Sequence, residues 1–179
     1  MNKTVKVRDK EFVIAIPSEK IQQRINEIGS QISKDLDGKS PIFISVLNGA
    51  FLFTADLMKQ ITIPCEITFI RMNSYEGVVS SGKMSQVLGL KESIEGRVVV
   101  LIEDIVDSGN TVTSILSELK KQHPEEIKIA SLLLKPEALK HNIHVDYLGF
   151  EVPNNFLLGY GLDYDGLGRN LNDIYSLVS

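Results

Sequence analysis

Three acids crowd the end of an apolar run. Glu103, Asp104 and Asp107 follow Val98 to Ile102, and the small polar stretch Ser108-Gly109-Asn110-Thr111 comes next. Carboxylates at this spacing suit the hydroxyls of a sugar and a metal-bound polyphosphate. The small residues suit an anion, because a turn of glycine and hydroxyls lets backbone N–H groups reach phosphate oxygens closely. Beyond the turn, Val112, Ile115, Leu116 and Leu119 share one face of a predicted helix. The start of that helix would offer unpaired N–H donors and the positive end of its dipole. Val98 to Ile102 reads as a strand buried on both faces, as in a parallel sheet. The plainer alternative is a strand–turn–helix with solvated acids, but unpaired acids are poor residues with which to end a buried strand.

Other residues carry weaker signals. Lys135 ends the run Leu132-Leu133-Leu134, a position that suits a partly desolvated ammonium with donors aimed into a cleft; the plainer alternative is a solvated charge at a strand end. Asn48-Gly49 ends a second apolar run, Ile42 to Leu47, and predicts a tight turn. Phe156 lies in an apolar stretch, where an aromatic ring is more often core than a platform for a base. Cys65, the single cysteine, begins an apolar run and reads as packing. His123, His141 and His144 show neither metal-ligand spacing nor a nucleophilic triad.

The run Glu103-Asp104-Ile105-Val106-Asp107-Ser108-Gly109-Asn110-Thr111 resembles the phosphoribosyl-diphosphate signature of type I phosphoribosyltransferases, specifically their hypoxanthine-guanine group. The resemblance implies that Glu103 and Asp104 hold the ribose hydroxyls and that Asp107 to Thr111 cradle the 5′-phosphate. It also implies that Asp107 lies near purine N7 as the general base. Val46 to Phe51, followed by Ala55-Asp56-Leu57, resembles the family's first loop, whose backbone contacts pyrophosphate. Here the chain has Asn48 where many relatives carry a cation, so Asn48 and Gly49 would act mainly through backbone N–H groups. Lys135 matches the lysine that contacts the purine 6-oxo group. Phe150 to Tyr164 resembles the purine pocket: Phe156 would stack on the base and the Leu157 backbone would read its edge. Asp163 would lie near a second magnesium and the purine 2-position, and Arg169 near pyrophosphate. Ser74-Tyr75 matches a dipeptide of the mobile loop that closes over the family's site, which would exclude water from a reactive sugar cation.

These residues need a scaffold, and the chain alternates strand and helix patterns from end to end. Phe12 to Ile16 predicts an early strand. Ser18 is a plausible N-cap for a helix with Ile21, Ile25, Ile28, Ile32 and Leu36 on one stripe. Strands are predicted at 42–47, 66–72, 98–102, 127–134 and 145–150, with helices after those at 42–47 and 98–102. This pattern argues for an α/β fold with a largely parallel sheet, whose ligands bind beyond the carboxyl ends of the strands. The resemblance makes it the type I phosphoribosyltransferase fold: a twisted sheet flanked by helices, a small hood from the C-terminal part, and a mobile loop at about 73–86. That Ser- and Gly-rich stretch is also a near-miss to a nucleotide-binding P-loop, Gly77, Gly82, Lys83, Met84. Methionine cannot ligate magnesium where the motif requires serine or threonine.

Composition bounds the partners. The chain has 179 residues, expected to form one domain over 1–179, with 43% hydrophobic and 23% charged residues and a formal net charge of −4. The acidic balance argues against a general nucleic-acid binder. No apolar stretch approaches the ~20 residues needed to span a bilayer. A lone cysteine and no apolar leader fit a reducing cytoplasm. The resemblance implies phosphoribosyl diphosphate and a 6-oxopurine as small-molecule partners, magnesium (Mg2+) as cofactor with Glu103, Asp104 and Asp163 near it, and a homodimer or homotetramer. The ranking of hypoxanthine, guanine and xanthine stays open. Two rival readings are a nucleotide-binding regulator on the same fold and a P-loop kinase. Intact acids with Lys135 and Asp163 oppose the first, and Met84 opposes the second.

Overall fold

The computed structural model describes residues 4–73, 85–88, 90 and 92–178. Its centre is a sheet in the order β5-β4-β3-β6-β7-β8. Strands β3 (Ile42–Leu47), β4 (Glu66–Asn73), β6 (Val98–Val106), β7 (Glu126–Leu134) and β8 (Tyr147–Glu151) run parallel, and β5 (Ser85–Leu88) pairs antiparallel with β4. Helices α1 (Ser18–Asp35) and α2 (Phe51–Met58) cover one face; α3 (Asn110–Lys120) covers the other. That arrangement explains the unbroken apolar runs. Val98, Val100 and Ile102 join the core under α1 and α2, while Val99 and Leu101 join the core under α3. Ile21, Ile25, Ile28, Ile32 and Leu36 are all buried, as the stripe in the sequence requires.

A second, four-stranded sheet stands apart, in the order β1-β2-β10-β9. It comprises β1 (Thr4–Val7), β2 (Lys10–Ile16), β9 (Leu157–Leu158) and β10 (Ile174–Leu177), every pairing antiparallel. Its small core is Phe12, Leu158 and Tyr175. This is the hood, and one expectation is corrected here. The hood is built from both ends of the chain and not from the C-terminal part alone, and the early strand belongs to it. The physical reason is long-range pairing: Phe12 is registered against Leu177, a partner that local patterning cannot reveal.

The start of α1 is also corrected. Ser18 does not cap the helix with its side chain; its own backbone N–H is an orphan donor, satisfied by Asp173 Oδ1 at 2.7 Å. The hood-side segment thus supplies the cap. Cys65 packs half-buried against the main core, and burial pushes its thiol up from its ordinary pKa. Ser74 and Tyr75 lie outside the described residues; β4 and β5, joined at Asn73 and Ser85, flank that stretch. No helix among the described residues is long and apolar enough to cross a membrane.

Candidate active site

The carboxyl ends of β3 and β6 open onto a cavity of about 350 Å³. Gly49, Glu103, Asp104, Asp107, Ser108, Gly109 and Thr111 line it. The chain turns from β6 into α3 through Gly109, whose left-handed backbone (φ 81°) leaves it packed against Ile143. A side chain there would face both a strained backbone and a collision with that isoleucine. The turn therefore directs the start of α3 toward the cavity, where its unpaired N–H groups favour an anion. The Leu47–Asn48 peptide of the first turn is cis. Gly49 follows, so close to the Asp104 carboxylate that a Cβ would overlap it.

Glu103 is buried and Asp104 half-buried. Burial pushes the Glu103 carboxyl well above the usual range, and the Asp104 charge adds to the effect. Asp104 is raised too, chiefly by burial, against a hydrogen bond from the Ile105 N–H (2.9 Å) and the positive charge of Arg169. Two acids that burial disfavours as anions form a site that gains from added positive charge or from hydroxyl donors. That chemistry fits magnesium and a ribose diol. No group of at least three His, Cys, Asp or Glu among the described residues could enclose a metal ion. A magnesium ion here would take its remaining ligands from a diphosphate and water, as this hard, hydrated cation commonly does.

Lys135 follows β7, and its N–H donates to the Val106 carbonyl, which fixes the backbone beside the acids. Only 8% of the residue is exposed, and its ammonium donates to Asp107 Oδ2 at 2.8 Å. An ammonium carries three donors, so the ion pair leaves capacity for an acceptor in the cleft. Asp107 itself is half exposed. The two residues predicted to act on the purine ring thus meet each other.

Arg169 and Asp163 are also paired, at 2.6 Å. The second Asp163 oxygen accepts the Gly166 N–H at 2.7 Å, while Arg169 Nη1 donates to the Gly161 carbonyl at 2.7 Å. Asp163 is therefore engaged by protein donors, apart from the Glu103–Asp104 cavity lining. Phe156 and Leu157 lie in the hood. The Phe156 ring is 43% exposed and meets Tyr164 edge-on at 5.8 Å, with Phe12 at 6.2 Å. Leu157 is buried and registered against Ser176. The hood segment leaves β8 beside Lys135, since the Val152 N–H donates to the Leu134 carbonyl. Two predicted residues turn elsewhere. Asn48 is exposed, and its backbone carbonyl accepts the Phe51 N–H. The side chain of Asn110 pairs with His141 Nε2 at 2.7 Å. Sequence reasoning missed Gly161 and Tyr160, whose importance rests on contacts with Gly49 and Asp56 that have no local signature.

Comparison with known proteins identifies the family. The pattern of the phosphoribosyl transferase domain family matches residues 17–165. The hypoxanthine-guanine phosphoribosyltransferase of Bacillus subtilis is 40% identical over 159 residues, covering 88% of each chain. A hypoxanthine phosphoribosyltransferase structure from Staphylococcus aureus superposes with a TM-score of 0.87 at 37% identity, covering 92% of this chain and 90% of that one. The bifunctional protein TilS/HprT of Listeria monocytogenes is 39% identical over 88% of this chain, which spans 24% of that longer protein. With the family pattern running through most of its length and relatives this similar from end to end, the chain belongs to the phosphoribosyl transferase family, in its hypoxanthine-guanine group.

Proposed function

We propose that the chain transfers the 5-phosphoribosyl group from phosphoribosyl diphosphate to N9 of hypoxanthine, and of guanine, yielding IMP or GMP and pyrophosphate in purine salvage. One observation carries the reading: the buried Lys135 ammonium, held on Asp107, stands beside the Gly109 turn into α3. A donor for an oxo group, a base for a ring proton and an anion cradle are thereby brought together.

In this reading the N–H groups from Asp107 to Thr111 bind the 5′-phosphate, and Glu103 and Asp104 fix the ribose diol. Lys135 donates to the purine 6-oxo group while Asp107 accepts the proton displaced from N7. N9 forms its bond to C1′ as the bond from C1′ to the diphosphate oxygen breaks, and the electron pair leaves with pyrophosphate. Arg169 and the Asn48-Gly49 backbone receive that pyrophosphate; Phe156 stacks on the base and the Leu157 backbone reads its edge. Magnesium held by Glu103 and Asp104, with a second ion near Asp163, would neutralise charge on the leaving diphosphate. Ser74 and Tyr75 belong to the loop proposed to cover the reacting centre. Alignment of both partners supplies much of the rate, and charge matched to the cationic transition state supplies much of the remainder. The proposal extends to a cytoplasmic homodimer or homotetramer. Ile67 and Phe69, exposed on β4, offer it apolar surface.

The test is a magnesium-dependent assay with phosphoribosyl diphosphate against hypoxanthine, guanine, xanthine and adenine. Nucleotide from hypoxanthine and guanine, with adenine inert, is the expected outcome. Xanthine as the preferred base would move the assignment within the group, and silence on all four bases in folded protein would reject it.

A further inference from the structure

We infer that Tyr160 and Asp56 form a clasp that positions Gly49 and Arg169 at the diphosphate end of the site. The inference rests on the proposed phosphoribosyl transfer and adds positioning residues to it. Three consecutive residues, Gly159, Tyr160 and Gly161, have positive φ (98°, 46° and 101°). For glycine this is inexpensive, but a residue with a Cβ is crowded against the neighbouring carbonyl in the left-handed region. What the tyrosine between these two glycines adds is the reach of its side chain. The ring is buried, at 4% exposure, and the hydroxyl donates to Asp56 Oδ2 at 2.5 Å.

Asp56 stands on α2, the helix that begins just after the Asn48-Gly49 turn. Its carboxylate also accepts Gln22 Nε2 of α1 at 2.8 Å and pairs with Lys59 at 2.5 Å. The clasp thus joins α1, α2 and the hood-side turn. On the other side of that turn lies Gly161, packed so tightly on the Gly49 carbonyl that a Cβ would overlap it. The Gly161 carbonyl accepts Arg169 Nη1. The placement of this one glycine accordingly sets both Gly49, which abuts Asp104, and Arg169. Lys135 and Asp107 are held separately, at the ends of β7 and β6. Loosening the clasp should therefore disturb the diphosphate end and spare the purine end.

The experiment compares Tyr160→Phe with the unaltered protein in steady-state kinetics and in calorimetric binding of pyrophosphate with magnesium. Loss of a hydrogen bond to a charged group is expected to raise the KM for phosphoribosyl diphosphate, and the Kd for pyrophosphate, roughly tenfold. The KM for hypoxanthine should stay within about twofold. Unchanged diphosphate constants, or an equal rise for both substrates, would overturn the inference. Tyr175→Phe is the control: it loses a hood hydroxyl bond to Asp173 (3.2 Å) that lies outside the clasp. If it reproduces the same selective rise, general loosening of the hood is responsible and the clasp is rejected. Should Tyr160→Phe fail to fold, Asp56→Asn keeps an acceptor oxygen and is expected to shift the same constants less; no shift would reject the clasp. Failure of the unaltered protein to make nucleotide would reject the transfer reaction, while pyrophosphate binding would still read the clasp.

Discussion

In the proposed reaction, Asp107 and Lys135 would bring two roles into one ion pair. In the structure the Lys135 ammonium, almost out of solvent, is neutralised by a half-exposed carboxylate. A 6-oxopurine would bring an acceptor for the lysine and a proton for the acid, so both groups can engage it without separating. Asp107→Asn should lower kcat by roughly 10²-fold or more, the range for loss of a general base. The KM for phosphoribosyl diphosphate should change far less. A turnover number equal to that of the unaltered protein would remove Asp107 from the base role. Because Lys135 loses its counter-ion in this variant, a melting curve should accompany the kinetics to separate chemistry from stability.

Among the elements, α1 is notable for borrowing its cap. Its stripe of isoleucines buries it against the sheet, yet its first N–H relies on Asp173, beside the last strand of the hood. Asp173 also accepts the Tyr175 hydroxyl. This one carboxylate therefore ties the hood to the main body. Asp173→Ala is expected to cost about 1 kcal/mol for the lost cap, read as a lower midpoint in urea unfolding with an unchanged slope. A midpoint equal to that of the unaltered chain would show that the cap contributes nothing net. The β6–turn–α3 unit contrasts with this. Its strand, left-handed glycine and helix are consecutive, so the local sequence suffices to form the proposed anion cradle.

For the whole molecule, the Asp56 network joins separate layers, and it titrates. Burial by itself would raise the Asp56 carboxyl, but hydrogen bonds from Lys59, Tyr160 and Gln22 outweigh burial and hold it below the ordinary 3.8. A carboxylate with a lowered folded-state pKa stabilises the fold at pH values above its unfolded pKa. The benefit is lost as pH falls through the folded-state value, where the native carboxylate takes up its proton. Melting temperature should therefore fall as the solution is acidified from about pH 5 to pH 3. Asp56→Asn should start lower at neutral pH and fall less over that interval. Parallel curves for the two proteins would show that Asp56 does not contribute to the acid sensitivity.

The features legible along the chain are local and periodic. The continuous apolar runs announced strands covered on both faces, the isoleucine stripe announced α1, and Glu103 to Thr111 announced the proposed anion site because strand end, turn and helix start are neighbours along the chain. Lys135 was legible at its strand end for the same reason. Other features are products of distance. The hood pairs residues near 12 with residues near 177, so its dependence on both chain ends has no local signature. Asp173 could replace Ser18 as the cap only after the chain returned to α1. Gly161 meets Gly49, and Tyr160 meets Asp56 across 104 positions. Short-range patterns report which surface each element must bury, but tertiary structure decides which distant polar groups complete the site, because those bonds exist only after the layers have packed.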